Sequence, residues 1–141
     1  MGKTLIFSDV DYSENAIAKS DILPTITLNN AALKAMVTTE TTGKYINDRG
    51  IITGNGNGTL SYIMVELGRY KRIVISGYSG TTTGGFFSSI NPSSATKISE
   101  VTRSSAGNIS NLSLDVPAGA KYFAFNLWNS YSNYSLTKYA E

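Results

Sequence analysis

From Thr59 onward, short runs of alternating apolar and polar residues are cut off about every eight to twelve residues by clusters of Gly, Pro, Ser or Asn. Side chains that alternate with a period of two belong to strands with one buried face, because successive side chains of a strand point to opposite sides. Many such runs at regular spacing define an antiparallel sandwich or jelly roll. The chain therefore reads as all-β, an antiparallel β-sandwich (jelly roll) with an N-terminal arm and one short helix. Its 141 residues suit one domain. No internal repeat recurs at a fixed period.

The pattern predicts strands at 59–67, 70–78, 85–90, 97–103, 109–116 and 120–127. Gly68-Arg69 separates the first two by the length of a hairpin turn. In the second, Ile73 and Ile75 share a face. Leu112, Leu114 and Val116 alternate with Ser113 and Asp115, and Pro117-Ala118-Gly119 makes the turn that follows. Phe123, Phe125 and Leu127 then form a core row, which leaves Tyr122, Asn126 and Trp128 pointing outward.

The first third reads differently, and the domain boundary is placed there: 1–45 as an arm, 46–141 as the sandwich. Leu5-Ile6-Phe7 is an apolar patch, and residues 22–28 form an edge strand, since Pro24 removes a ladder donor. Ala31 to Val37 supports about two helical turns capped by Asn30, with Ala32, Ala35 and Met36 on one face. The Thr38–Thr42 run favours extended backbone.

Composition narrows the chemistry. Cysteine and histidine are absent, which removes disulfides, Cys or His zinc sites, Cys nucleophiles and every mechanism that needs an imidazole. No cofactor or metal is expected. The ten acids are dispersed, whereas glycoside hydrolysis needs two carboxylates held across a cleft. Glu66 and Asp115, inside the strands at 59–67 and 109–116, read as solvent-facing charges. A glycan-cleaving enzyme is thus disfavoured, and the chain is expected not to be an enzyme.

Asp9-Val10-Asp11-Tyr12-Ser13-Glu14-Asn15 places oxygen ligands at alternate positions, but Glu14 stands where a calcium hand needs Gly and Ser20 where it needs Glu. Gly54-Asn55-Gly56-Asn57-Gly58 precedes a strand, where a phosphate-binding loop would open a helix, and reads as a turn. Arg69-Tyr70-Lys71-Arg72 is the densest basic cluster. With a net charge of +2, it reads as a charged turn, and no nucleic-acid partner is expected. No apolar run reaches the 18 or so residues that span a bilayer, so no membrane insertion is expected.

Tyr70-Lys71-Arg72-Ile73-Val74-Ile75-Ser76-Gly77, taken with Val116-Pro117-Ala118-Gly119-Ala120-Lys121-Tyr122-Phe123-Ala124-Phe125, resembles small jelly-roll modules of phage tail and receptor-binding proteins and of secreted bacterial proteins. The resemblance spans about residues 50–139. It implies a sandwich fold, an extracellular or virion (phage tail) setting and carbohydrate recognition. Such modules often carry a Phe-Tyr-Asp-type strand. Here Gly85-Phe86-Phe87-Ser88-Ser89-Ile90 lacks the acid, and no binding residue transfers by motif.

The segment Asn126-Leu127-Trp128-Asn129-Ser130-Tyr131-Ser132-Asn133-Tyr134 concentrates what a sugar receptor needs. Flat rings meet the C–H face of the sugar, and amides and hydroxyls meet its rim. Trp128, Tyr131, Tyr134 and Tyr78 are the candidate stacking rings, with Asn126, Asn129 and Asn133 as polar partners. Trp128 has an alternative role as a plug at the end of the sandwich. The expected function is a non-catalytic carbohydrate-binding or adhesion module with a glycan or cell-surface polysaccharide as partner. The alternative is a structural oligomerisation or capping module of a tail fibre, with the outer aromatics buried in a homo-oligomer.

Overall fold

The computed structural model describes residues 23–141. The apolar patch at 5–7 and the acidic segment at 9–15 lie outside the described residues. Ten strands and one helix follow: β1 (Ile26–Leu28), α1 (Asn30–Lys34), β2 (Lys44–Ile46), β3 (Ile52–Gly54), β4 (Leu60–Glu66), β5 (Arg72–Ser79), β6 (Thr82–Phe87), β7 (Lys97–Thr102), β8 (Gly107–Asp115), β9 (Tyr122–Trp128) and β10 (Ser135–Tyr139).

Two four-stranded antiparallel sheets face each other, ordered β1-β10-β5-β8 and β4-β9-β6-β7. After β1 the chain passes between the sheets at nearly every connection. Only β6 and β7 are consecutive neighbours within a four-stranded sheet. This is the nested Greek-key order of a jelly roll. The core between the sheets is built from the alternating rows expected from sequence: Ile73 and Ile75 from one side, Phe123, Phe125 and Leu127 from the other, all fully buried.

The expected 59–67/70–78 hairpin does not form. β4 pairs with β9, whereas β5 pairs with β10 and β8. Ile63 and Val65 on β4 and Ile73 and Ile75 on β5 all join one core, so the two strands face each other across it. The turn at Gly68 (φ +55°) carries the chain from one sheet to the other. Alternation fixes which side chains point inward but not which strand lies alongside.

Residues 23–45, expected as an arm, are built into the sandwich. β1 is the edge strand of the first sheet, as Pro24 suggested, and the Pro24 carbonyl accepts a 2.6 Å hydrogen bond from the Tyr70 hydroxyl. The helix starts one residue early, because Asn29 is the cap and its side chain accepts from the Ala32 N–H at 2.9 Å. The face turned to the core carries Leu33, with Met36 and Val37 partly buried beside it, and leaves Ala32 and Ala35 exposed. Thr38 to Thr42 is a turn instead of extended chain, closed by Thr41 and Thr42 N–H donating to the Thr38 carbonyl.

The sequence pattern also gave no sign of the β2–β3 hairpin. It lies on the outer face of the second sheet, where Ile46 packs with Tyr62, Phe87 and Ala124 in a second buried cluster. That sheet is therefore covered on both sides, which explains why β9 is buried from Phe123 to Leu127.

Candidate functional site

β5 ends in the first sheet close to where β9 ends in the second. Tyr78 stands at the first end and Trp128 at the other, with ring centroids 5.6 Å apart and planes at 90°. The turn after β9 brings Tyr131 alongside, 6.0 Å from Tyr78 and tilted by 33°. Two phenols lie nearly side by side and the indole rises beside them. Together with Ser130 they line an open groove of about 260 Å³. All three rings are half-buried, so each is held by packing and still presents surface to solvent. The three rings singled out from sequence are thus brought together.

Tyr134, the fourth candidate ring, is not displayed. It is 2% exposed, packed edge-on against Phe125 at 5.5 Å and against Tyr131 at 4.9 Å. A Cβ on Gly77 would overlap its ring, so glycine at that position makes room for it. Its hydroxyl accepts from the Trp128 N–H at 2.7 Å and donates to the Tyr78 carbonyl at 2.7 Å. Burial is the main cause that pushes its pKa up to about 12. Tyr134 therefore cannot stack on a ligand; it fixes the ends of the two strands that carry Tyr78 and Trp128.

The asparagines divide as well. Asn126 points outward as alternation requires, but the β2–β3 hairpin covers it and it is 3% exposed. Its amide is fully engaged, accepting from the Ile46 N–H and donating to the Ile46 and Thr82 carbonyls. Asn129 is exposed, yet its amide accepts from the Ser61 hydroxyl and donates to the Gly58 carbonyl, both at 2.7 Å. The Asn126 amide has no donor left for a ligand, and the Asn129 amide is held to the fold by one bond at each end. Asn133 is exposed and is the one of the three whose side chain is not spent on the fold.

Two supports come from α1, which lies far from this segment in sequence. The Lys34 ammonium donates to the carbonyls of Trp128, Asn129 and Tyr131 at 3.2, 3.2 and 2.7 Å. Charge-assisted bonds of this kind are stronger than neutral ones. Burial lowers the Lys34 pKa. The Asn30 side chain accepts from the Tyr134 N–H at 3.1 Å. No periodicity or motif announces either contact.

A larger groove, about 680 Å³, runs along the outer face beside β4 and is lined by Met36, Ile52, Met64, Ile90 and Pro92, with Tyr62 among its walls. Tyr62 is 6% exposed and belongs to the second buried cluster, so this groove offers no flat ring face. The basic cluster is spent on the fold at Arg72, which stacks 4.2 Å from the Tyr139 ring centroid and donates to the Ser113 hydroxyl. Glu66 and Asp115 are exposed on opposite sheets. No helix among the described residues is long and apolar enough to cross a membrane.

Comparison with known protein families, with curated proteins and with solved structures finds no match to this chain.

Proposed function

We propose that this protein is a non-catalytic carbohydrate-binding module that engages glycan through the groove formed by Tyr78, Trp128 and Tyr131, acting in adhesion in an extracellular or virion setting such as a phage tail. The observation that carries this reading is the convergence of three half-exposed rings on one open groove, two of them on strands from opposite sheets. Ring faces there meet the apolar side of a pyranose, and the Ser130 and tyrosine hydroxyls meet its rim. Such a shallow groove binds weakly alone and gains strength by repetition.

Trp128 is the chain's single tryptophan, so its fluorescence reports directly on the groove. The test is a glycan array probed with the multivalently displayed protein and with Trp128→Ala and Tyr131→Ala variants. Sugar binding lost in both variants, with quenching of Trp128 emission in the wild type, is the expected result. Absence of binding to any glycan sinks the proposal.

A second reading, an oligomerising structural module, is favoured by one observation. Ile52 and Ile90, 41% and 55% exposed, lie with Met36 and Met64 along the large outer groove. Exposed apolar surface of that kind commonly marks an interface. Light scattering decides it, since a stable homo-oligomer supports assembly and a monomer removes this reading.

A further inference from the structure

Trp128 is a wall shared by two depressions. On one side is the ring-lined groove; on the other is a recess of about 150 Å³ bounded by Tyr45, Gly80, Thr81 and Thr82. The end of β5 and the start of β6 supply both, with Tyr78 of β5 on the first side and Gly80, Thr81 and Thr82 of the connection and β6 on the second. The recess is chemically unlike the groove. Its accessible polar groups are the Tyr45 phenol and the Thr81 and Thr82 hydroxyls, none of which hydrogen-bonds to another described residue. Its backbone is fixed all the same: the Thr82 carbonyl accepts from the Asn126 amide at 3.1 Å, and the Thr81 carbonyl accepts from the Arg103 N–H at 2.7 Å.

Volume decides what such a pair can hold. Pockets that bind small molecules measure about 300–1,000 Å³, and the groove and recess, at 260 and 150 Å³, each fall below that range. A ligand that fills only one leaves most of its surface in water. One that crosses the indole covers rings with one part and meets three free hydroxyls with the next.

Resting on the carbohydrate reading above, we infer that the ligand is an oligosaccharide whose adjacent units straddle Trp128, one stacked in the ring-lined groove and the next hydrogen-bonded in the Tyr45–Thr81–Thr82 recess. The recess then selects for chain length and linkage, and the groove supplies stacking common to many sugars. Tyr45, Thr81 and Thr82 are specificity residues in this arrangement.

The experiment uses the full chain on an array of glucose, galactose, mannose and N-acetylglucosamine, each displayed at equal density as the single sugar and as its two- to four-unit oligomers. The expected result is at least tenfold tighter binding from two units upward for one sugar series. Thr82→Val and Tyr45→Phe, which keep shape and remove one hydroxyl each, should weaken the oligomer by about three- to tenfold, the worth of a lost hydrogen bond. They should leave the single sugar unchanged. Single sugars bound as tightly as their oligomers, or oligomer affinity indifferent to both variants, overturn the two-unit inference while the carbohydrate reading stands. Binding to no sugar of any length overturns both.

Discussion

Replacing Tyr134 by Phe removes one oxygen and keeps the ring, so it isolates what the buried hydroxyl does. That oxygen takes the Trp128 N–H and gives its proton to the Tyr78 carbonyl, each at 2.7 Å, and the residue is 2% exposed. The phenylalanine would leave a donor and an acceptor without partners beneath the groove. An orphaned buried polar group costs about 1–3 kcal/mol; two of them, partly relieved by entering water, cost about 2–3 kcal/mol in all. For a chain of this size each kcal/mol moves the melting temperature by about 3–4 °C, so Tyr134→Phe should lower it by roughly 6–12 °C. Urea titration should return the same loss with an unchanged slope. Tyr131→Phe is the control, because its hydroxyl bonds to no described residue and its removal should cost less than about 0.5 kcal/mol. Equal effects of the two substitutions, or a Tyr134→Phe effect below about 0.5 kcal/mol, would refute the assignment of Tyr134 as the clasp between the two strand ends.

The same hydroxyl predicts a pH dependence. Its folded pKa is raised from the ordinary 10.0 to about 12, so the folded state holds the proton more tightly. Its contribution is complete below about pH 10 and is lost as the pH climbs toward 12. Denaturation followed across that window should show a falling component that Tyr134→Phe lacks, and a fall identical in both proteins argues against it. Asn126→Ala removes three hydrogen bonds from a residue 3% exposed and should cost about 2–4 kcal/mol. Amide exchange should quicken at Ile46 well before the core of β9, and protection retained at Ile46 would count against this anchoring of the hairpin.

The parts of the fold that were legible depend on periodicity, and the parts that were not depend on partners distant in sequence. Ile73, Ile75, Phe123, Phe125 and Leu127 were assignable to the core because a strand's two faces are set by parity. The same parity placed Asn126 outward, and correctly so. Nothing in Asn126 or its neighbours reveals that Ile46, eighty positions away, covers it. Tyr134 sits in a run of polar residues that reads as surface. Its burial follows from Gly77, whose missing side chain makes the space, and a lone glycine inside a strand pattern was the available sign. Trp128 and Tyr131 were singled out by composition, the rings and amides crowded into 126–134, and Tyr78 by its place at a strand end, but that they meet follows from where β5 and β9 end, which periodicity does not give. Lys34 was not recoverable, since its three carbonyl partners follow it by more than ninety positions.

These contacts tie the groove to the stacking of the sheets. Tyr78 belongs to the first sheet and Trp128 to the second, so their separation is set by how the two layers meet. The layers are tied at this end by the Tyr134 hydroxyl, by the Ser79–Thr83 hydroxyl pair at 2.9 Å and by the Tyr78–Trp128 ring contact. The ring geometry is thereby fixed before any ligand arrives, with Lys34 and Asn30 holding the following turn from beneath. A preorganised surface loses less conformational entropy on association, which matters most where each contact is weak. On the carbohydrate proposal, residues that never touch the glycan, Tyr134 and Lys34 among them, govern how tightly it is held. A substitution that loosens the two layers should weaken recognition even with all three rings intact.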